Sequence, residues 1–152
     1  MKQVDPYEDL DINAYGVLKP PLLLLIILLI ETWQFWSLIV SVFSGQSWVN
    51  SENSGWMGVA VAVPALTVLY ALWARVPKAG GTIRQIWSRG REMLSMSAAG
   101  NLAITIFAVI QDGNWRLDSD WTTILVAILH IWVAIRLWVS PIIQKVFSEF
   151  PS

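Results

Sequence analysis

Three polar side chains, a carboxylate, an imidazole and a carboxamide, would lie at nearly the same depth if their helices crossed a membrane. Glu31, His130 and Asn101 lie in three long apolar runs, each about eight or nine residues from one end of its run. At 1.5 Å per residue this is roughly 13 Å into a hydrocarbon core about 30 Å thick. A charged acid at that depth costs on the order of 3 kcal/mol, so we expect Glu31 to face other helices and to have a partner.

Two further polar residues belong to this candidate midplane cluster. Gln34 lies one helical turn from Glu31, and Thr67 lies in a separate apolar run, just beyond Pro64. The cluster could hold helices together, since interhelical polar contacts contribute roughly 0.6–2 kcal/mol each. It could instead be a proton or solute site, because Glu and His are the usual groups of intramembrane proton relays. We favour the structural role and keep the functional one open.

Four apolar runs must position these residues. The chain has 152 residues, of which 55% are hydrophobic and 14% charged, whereas soluble domains have about 25% charged residues. Each run approaches the ~20 residues that a helix needs to cross a bilayer. We therefore predict an all-α fold, a single membrane domain over 1–152 in which four spans form a helix bundle. The predicted spans are approximately 22–43, 56–74, 93–110 and 121–139.

The positive charges predict an orientation for these spans. Of the ten Lys and Arg residues, only Arg116 lies on one side of the runs. The positive-inside rule then places both termini and the loop between spans two and three in the cytoplasm. The acidic N-terminus has no basic region before a short apolar core, so we do not expect a cleaved signal peptide. The residues on the cytoplasmic side are Lys2, Lys19, Arg75, Lys78, Arg84, Arg89, Arg91, Arg136 and Lys145.

The loop between spans two and three has the pattern of a short amphipathic helix over Thr82–Glu92. Ile83, Ile86 and Trp87 recur at helical spacing, and basic residues occupy the other positions. Such a helix is expected to lie in the membrane interface with its apolar face in lipid. Its arginines, which we expect to contact anionic lipid headgroups or a partner protein, are Arg84, Arg89 and Arg91.

Motifs for other chemistry are missing from the sequence. The chain has no cysteine and one histidine, so a thiolate or histidine-rich metal site is excluded and we expect no metal and no cofactor. It contains no glycine-rich phosphate loop, no G-x-S-x-G nucleophile elbow and no H-E-x-x-H motif. We expect no nucleic-acid partner, because the membrane accounts for the placement of the basic residues.

Three stretches together resemble the YfeZ-like bacterial inner-membrane proteins, a domain of unknown function. They are Tyr15–Leu25, with its Leu-Lys-Pro-Pro entry into span one, the basic loop Ile83–Arg91, and the ending from His130 to Pro151. The resemblance implies a bacterial inner membrane and supplies no catalytic residue. The family pattern has an Arg-Pro pair near Glu31 and an acid near His130. This chain departs at both positions, which implies a charged pair with its signs exchanged.

The sequence therefore predicts a non-enzymatic accessory or scaffold protein of the inner membrane. Its expected partners are membrane lipids and a membrane protein or further copies of itself. The alternative is a small transporter or proton-linked carrier that works through Glu31 and His130. A lipid-modifying enzyme comes third, because one histidine and one midplane acid offer it little.

Overall fold

A computed structural model describes residues 17–44, 54–112 and 121–151, and these residues are helical apart from short connections. The helices are four long ones, α1, α2, α4 and α5, and two of eight residues, α3 and α6. In chain order they are α1 Leu22–Ser44, α2 Ser54–Trp73, α3 Gly81–Ser88, α4 Gly90–Asp112, α5 Trp121–Val139 and α6 Pro141–Ser148. The all-α prediction is confirmed for this part of the chain.

Three of the long helices are apolar and long enough to cross a membrane. The qualifying segments are Trp56–Trp73 of α2, Gly90–Gln111 of α4 and Trp121–Val139 of α5. Large apolar side chains cover the outside of these helices, as in Trp73, which is 91% exposed. Lipid can accept such a surface, whereas soluble monomers rarely expose contiguous apolar patches of this extent.

Helix α1 differs from the straight span expected over 22–43. Its segments Leu22–Glu31 and Trp33–Ser44 meet at a bend of 57°, and they satisfy the span criterion only as a pair. At the bend the Thr32 hydroxyl donates to the Leu28 carbonyl at 2.7 Å. This carbonyl would normally accept from the Thr32 N–H, so the side chain competes with the helical hydrogen bond. Competition of this kind is a recognised cause of helix bending.

The long helices pack in the order α1, α2, α4, α5, with a smaller contact between α1 and α4. Between α2 and α4, a Cβ atom at Gly100 would lie 2.6 Å from Cγ1 of Val61, so glycine permits the close approach. The Ser97 hydroxyl of α4 accepts a hydrogen bond from the Ala65 N–H at 3.2 Å and donates to the Val61 carbonyl at 2.8 Å. This contact supplies partners to the α2 backbone beside Pro64, where the helical hydrogen bonds are interrupted.

A groove separates α1 from α5 on the remaining side. It has a volume of about 430 Å³ and is lined by residues of α1 and α5 together with Asn101 of α4. The groove thus separates α1 from α5 in the described residues, and the predicted four-helix bundle is not confirmed.

The two short helices lie together at the end of the molecule where α1 begins and α5 ends. Helix α6, which the sequence analysis did not predict, begins with Pro141 in its first turn and buries Ile143, Val146 and Phe147. Helix α3 begins at Gly81, close to the predicted start. On its apolar face Ile83 and Ile86 are partly exposed, whereas Trp87 is 1% exposed and packs on the Phe147 ring with 4.8 Å between centroids. The expectation that the Trp87 side chain lies in lipid was wrong, because protein covers it, whereas the interfacial position of α3 itself stays a prediction.

Candidate functional site

Three helices bring polar side chains to one point because each carries a stripe of inward-facing residues with a polar member. In α1 the buried positions Leu24, Ile27 and Leu28 lead to Glu31 at helical spacing. In α4 the stripe passes through Ser97 and Ala98 to Asn101, and in α5 it starts at His130 and continues to Val133 and Leu137. The polar residues are therefore parts of packing faces, as their buried positions require.

Glu31 is the centre of this cluster, and its side chain is 0% exposed. The Asn101 Nδ2 donates to Glu31 Oε2 at 2.9 Å, and His130 Nδ1 lies 3.0 Å from Glu31 Oε1. Both carboxyl oxygens thus have a partner, and each partner comes from a different helix. We call Glu31, Asn101 and His130 the midplane clamp.

The other two residues of the candidate midplane cluster are placed differently. The Thr67 hydroxyl donates within its own helix to the Pro64 carbonyl at 2.7 Å and lies 3.9 Å from the Met93 sulfur. It takes no part in the midplane clamp. Gln34 lines the groove between α1 and α5, and its side chain lies against Gly58 of α2.

One edge of the midplane clamp borders the groove. Asn101 and His130 are 5% and 7% exposed, and both line it. His130 therefore lies between Glu31, which its Nδ1 contacts, and the groove, which its side chain lines. The remaining wall is apolar, formed by Leu29, Ile30, Trp33, Val126 and Leu129.

A second polar centre lies at the end of the molecule that carries α3 and α6. Arg75 is 7% exposed, and its guanidinium donates from Nη1 to the Leu18 carbonyl at 3.0 Å and from Nη2 to the Glu149 carbonyl at 2.8 Å. The same guanidinium lies 4.6 Å from the centre of the Trp87 ring. The single N–H of the Trp87 indole is shared in turn between the Val146 and Glu149 carbonyls, at 3.0 Å each.

The segment before α1 is attached to the same centre, because the Leu18 N–H donates to Glu149 Oε2 at 3.0 Å. We call Leu18, Arg75, Trp87, Val146 and Glu149 the Arg75 assembly. Burial lowers the pKa of Arg75 below its ordinary value, and the negative charge of Glu149 acts in the opposite direction. The guanidinium still stays protonated near neutral pH, because the ordinary pKa of arginine is far above it.

The predicted arginine surface divides into three kinds of environment. Arg84 donates from Nη2 to the Pro77 carbonyl at 3.2 Å and the Pro151 carbonyl at 3.4 Å. The Arg91 guanidinium lies 5.1 Å from the centre of the Trp138 ring. Arg89 follows α3 and is exposed. Arg84 and Arg89 are both exposed, but only Arg84 of these two has the side-chain contacts given above.

Sequence reasoning missed the Arg75 assembly, which joins residues as far apart as Leu18 and Glu149. One available signal was the spacing of Ile143, Val146 and Phe147 after Pro141, which is that of a short helix with one apolar face. In the described residues, no group of three or more His, Cys, Asp or Glu side chains is placed to hold a metal ion.

Comparison with known proteins supports the family and no activity. A family model described as "Protein of unknown function (DUF2919)" matches residues 7–149, nearly the whole chain. None of the curated proteins and none of the solved structures matches the chain significantly. The likeness to YfeZ-like proteins in particular stays a prediction. With the family model covering so much of its length, the chain belongs to the DUF2919 family, whose function is unknown.

Proposed function

We propose that this chain is a non-enzymatic accessory protein of a bacterial inner membrane, which holds a basic cytoplasmic surface in a fixed position for a partner. In this proposal α1, α2, α4 and α5 all cross the membrane, and both termini are cytoplasmic. The distribution of Lys and Arg supports the orientation through the positive-inside rule. The bent α1 is counted as one span, because its two segments together are long and apolar enough.

The observation that carries the proposal is the convergence of separate chain segments in the Arg75 assembly. The segment before α1, the end of α2, α3 and the C-terminal segment all contact Arg75 or Trp87. A guanidinium that binds two separate carbonyls fixes geometry better than a single point charge, and the buried indole adds one N–H that two carbonyls share. Helix α3 is thereby held against protein, which leaves Lys78 and Arg89 exposed beside it.

The midplane clamp supports an accessory protein better than a carrier. Both oxygens of Glu31 are occupied by partners from α4 and α5, and its side chain has no exposed surface. A group that binds and releases a substrate or a proton must exchange with an aqueous path, whereas a satisfied and buried acid contributes to helix association. We therefore assign Glu31, Asn101 and His130 to the packing of α1, α4 and α5.

The exposed charges suggest the test. An affinity-tagged chain is purified from its native membrane with the proteins that accompany it, alongside a Lys78→Glu, Arg89→Glu double variant. The control is Arg136→Glu combined with Lys145→Glu, which makes the same change in charge near the same end of the molecule. We expect a partner at constant stoichiometry with the parent and the control, and its loss with the double variant. A partner lost equally with both variants, or no partner with the parent, contradicts the proposal.

A second assay separates the accessory role from the carrier. The purified protein is placed in liposomes that contain a pH-sensitive dye, and a proton gradient is applied. We expect no flux above that of empty liposomes. Flux that the parent supports and that Glu31→Gln abolishes would favour the carrier instead.

A further inference from the structure

The midplane clamp leaves polar atoms at the wall of an otherwise apolar groove. The clamp uses Nδ1 of His130, and in the described residues no hydrogen bond of Nε2 is present. Gln34 adds a carboxamide to the same wall. In a bilayer such groups have no bulk water to satisfy them, and each unsatisfied polar group is destabilising. An occupant that forms hydrogen bonds would remove that cost.

Charge balance decides whether Nε2 is a donor or an acceptor. A net charge buried at the bilayer midplane is expensive, so the Glu31–His130 pair is most stable with no net charge. Two proton arrangements satisfy this condition: carboxylate with imidazolium, or carboxylic acid with a neutral ring that accepts at Nδ1. In both arrangements Nε2 carries a hydrogen. With the pair uncharged overall, Nε2 of His130 is an N–H donor, and a ligand that offers an acceptor complements it.

Depth and shape restrict the ligand further. The carbonyl groups of phospholipids are held at the interface by their charged heads, whereas an uncharged lipid can bring its polar group to the midplane. Of the groove lining, Leu29, Trp33 and Leu129 are apolar and partly exposed, so they can contact a flat ring and a hydrocarbon tail. The volume of about 430 Å³ lies within the usual range for sites that bind small molecules.

We propose that the groove between α1 and α5 binds an uncharged lipid with a carbonyl head, of the isoprenoid quinone class. A carbonyl oxygen of the ring accepts a hydrogen bond from His130 Nε2, the Gln34 carboxamide donates to a second ring oxygen, and the ring lies against Trp33. The proposal concerns binding and includes no redox step. It rests on the part of the proposed function that places α1 and α5 in the bilayer.

The test uses decylubiquinone as the probe and decylbenzene as a matched ligand that has the same tail and no carbonyl group. Both are titrated into the detergent-purified protein, and the thermal midpoint is followed by far-ultraviolet circular dichroism. A ligand that binds only the folded state raises this midpoint in a saturable way. We expect decylubiquinone to raise it. We expect decylbenzene to bind about tenfold more weakly or worse, because it forms no hydrogen bond.

Two tryptophan substitutions on α5 test the location. Leu129→Trp fills the groove, whereas Ile135→Trp adds the same bulk to an exposed position of the same helix that does not line it. We expect Leu129→Trp to abolish the response to decylubiquinone and Ile135→Trp to retain it. No response in the parent, equal responses to the two ligands, or equal behaviour of the two variants overturns the proposal. These results do not depend on a cytoplasmic partner, so a failure here is distinguishable from a failure of the partner capture.

Discussion

The midplane clamp makes a quantitative prediction about Glu31. Replacement by leucine removes both hydrogen bonds of the carboxyl group and leaves Asn101 Nδ2 and His130 Nδ1 without their partner. Each interhelical contact of this kind is worth roughly 0.6–2 kcal/mol, so we expect a loss of about 1–4 kcal/mol in the free energy of unfolding. At about 2–4 °C per kcal/mol for a chain of this size, the thermal midpoint should fall by roughly 2–16 °C.

Glutamine at the same position provides the matched comparison. The Gln side chain has the same length, its oxygen can accept from Asn101, and its N–H can donate to His130 Nδ1 when that ring is neutral. We therefore expect Glu31→Gln to retain most of the stability. Thr67→Val is a second control. The Thr67 hydroxyl contacts the Pro64 carbonyl of its own helix and the Met93 sulfur, and neither belongs to the midplane clamp.

The assay is thermal unfolding of the purified proteins in one detergent, followed by circular dichroism. The reasoning predicts the order parent, Gln variant, Leu variant, with Thr67→Val close to the parent. A Leu variant as stable as the parent would refute the assignment of Glu31 to helix packing. A Gln variant as unstable as the Leu variant would show that charge, and not hydrogen bonding, dominates the contribution of Glu31.

Three further predictions concern the rest of the fold. Arg75→Lys should lower the thermal midpoint, because one ammonium cannot reproduce the two hydrogen bonds of the guanidinium to the Leu18 and Glu149 carbonyls. Arg89→Lys, at an exposed position, should leave the midpoint unchanged. In single-tryptophan variants, lipids with brominated acyl chains should quench Trp73 strongly and Trp87 weakly; equal quenching would contradict the packing of α3 on protein. Ser97→Ala should lower the free energy of unfolding by about 1–2 kcal/mol, because two hydrogen bonds to α2 are lost. Thermal unfolding measures this loss, and an unchanged midpoint would show that Ser97 does not stabilise the contact between α2 and α4.

Much of the helical pattern could be predicted because apolar length is a local property. The predicted span over 121–139 coincides with α5, and the runs at 56–74 and 93–110 each lie within about three residues of α2 and α4. Equal depth likewise pointed to Glu31, Asn101 and His130, since residue counts along helices convert directly into distance. The structure brings these three residues together through the contacts of Asn101 and His130 with Glu31.

Features that depend on a single side-chain contact could not be predicted in this way. The bend in α1 follows from one rotamer of Thr32, a residue that straight helices also contain. Arg75 fits a positive-inside residue by sequence, and only its contacts with Leu18 and Glu149 reveal a buried role. Trp87 fits an interfacial anchor equally well until α6 is seen beside it. These contacts join residues 57 or more positions apart in the sequence, so no local sequence pattern predicts them.

Because α1 is bent, it remains to be measured whether this helix is a fourth membrane span. Three described helices qualify alone, and α1 qualifies only when its two segments are joined. An odd number of spans would put the two ends of the chain on opposite sides of the membrane, whereas an even number puts them on the same side.

The most direct test fuses a reporter that is active only in the cytoplasm to the N-terminus, to the C-terminus after Ser152, and after Gly81. A second reporter that is active only outside the cytoplasm is fused at the same three positions. We expect cytoplasmic activity at all three sites. The contrary result is a cytoplasmic signal after Ser152 and after Gly81 with an external signal at the N-terminus. It would show that only one of α1 and α2 crosses the membrane, and it would contradict the four-span arrangement.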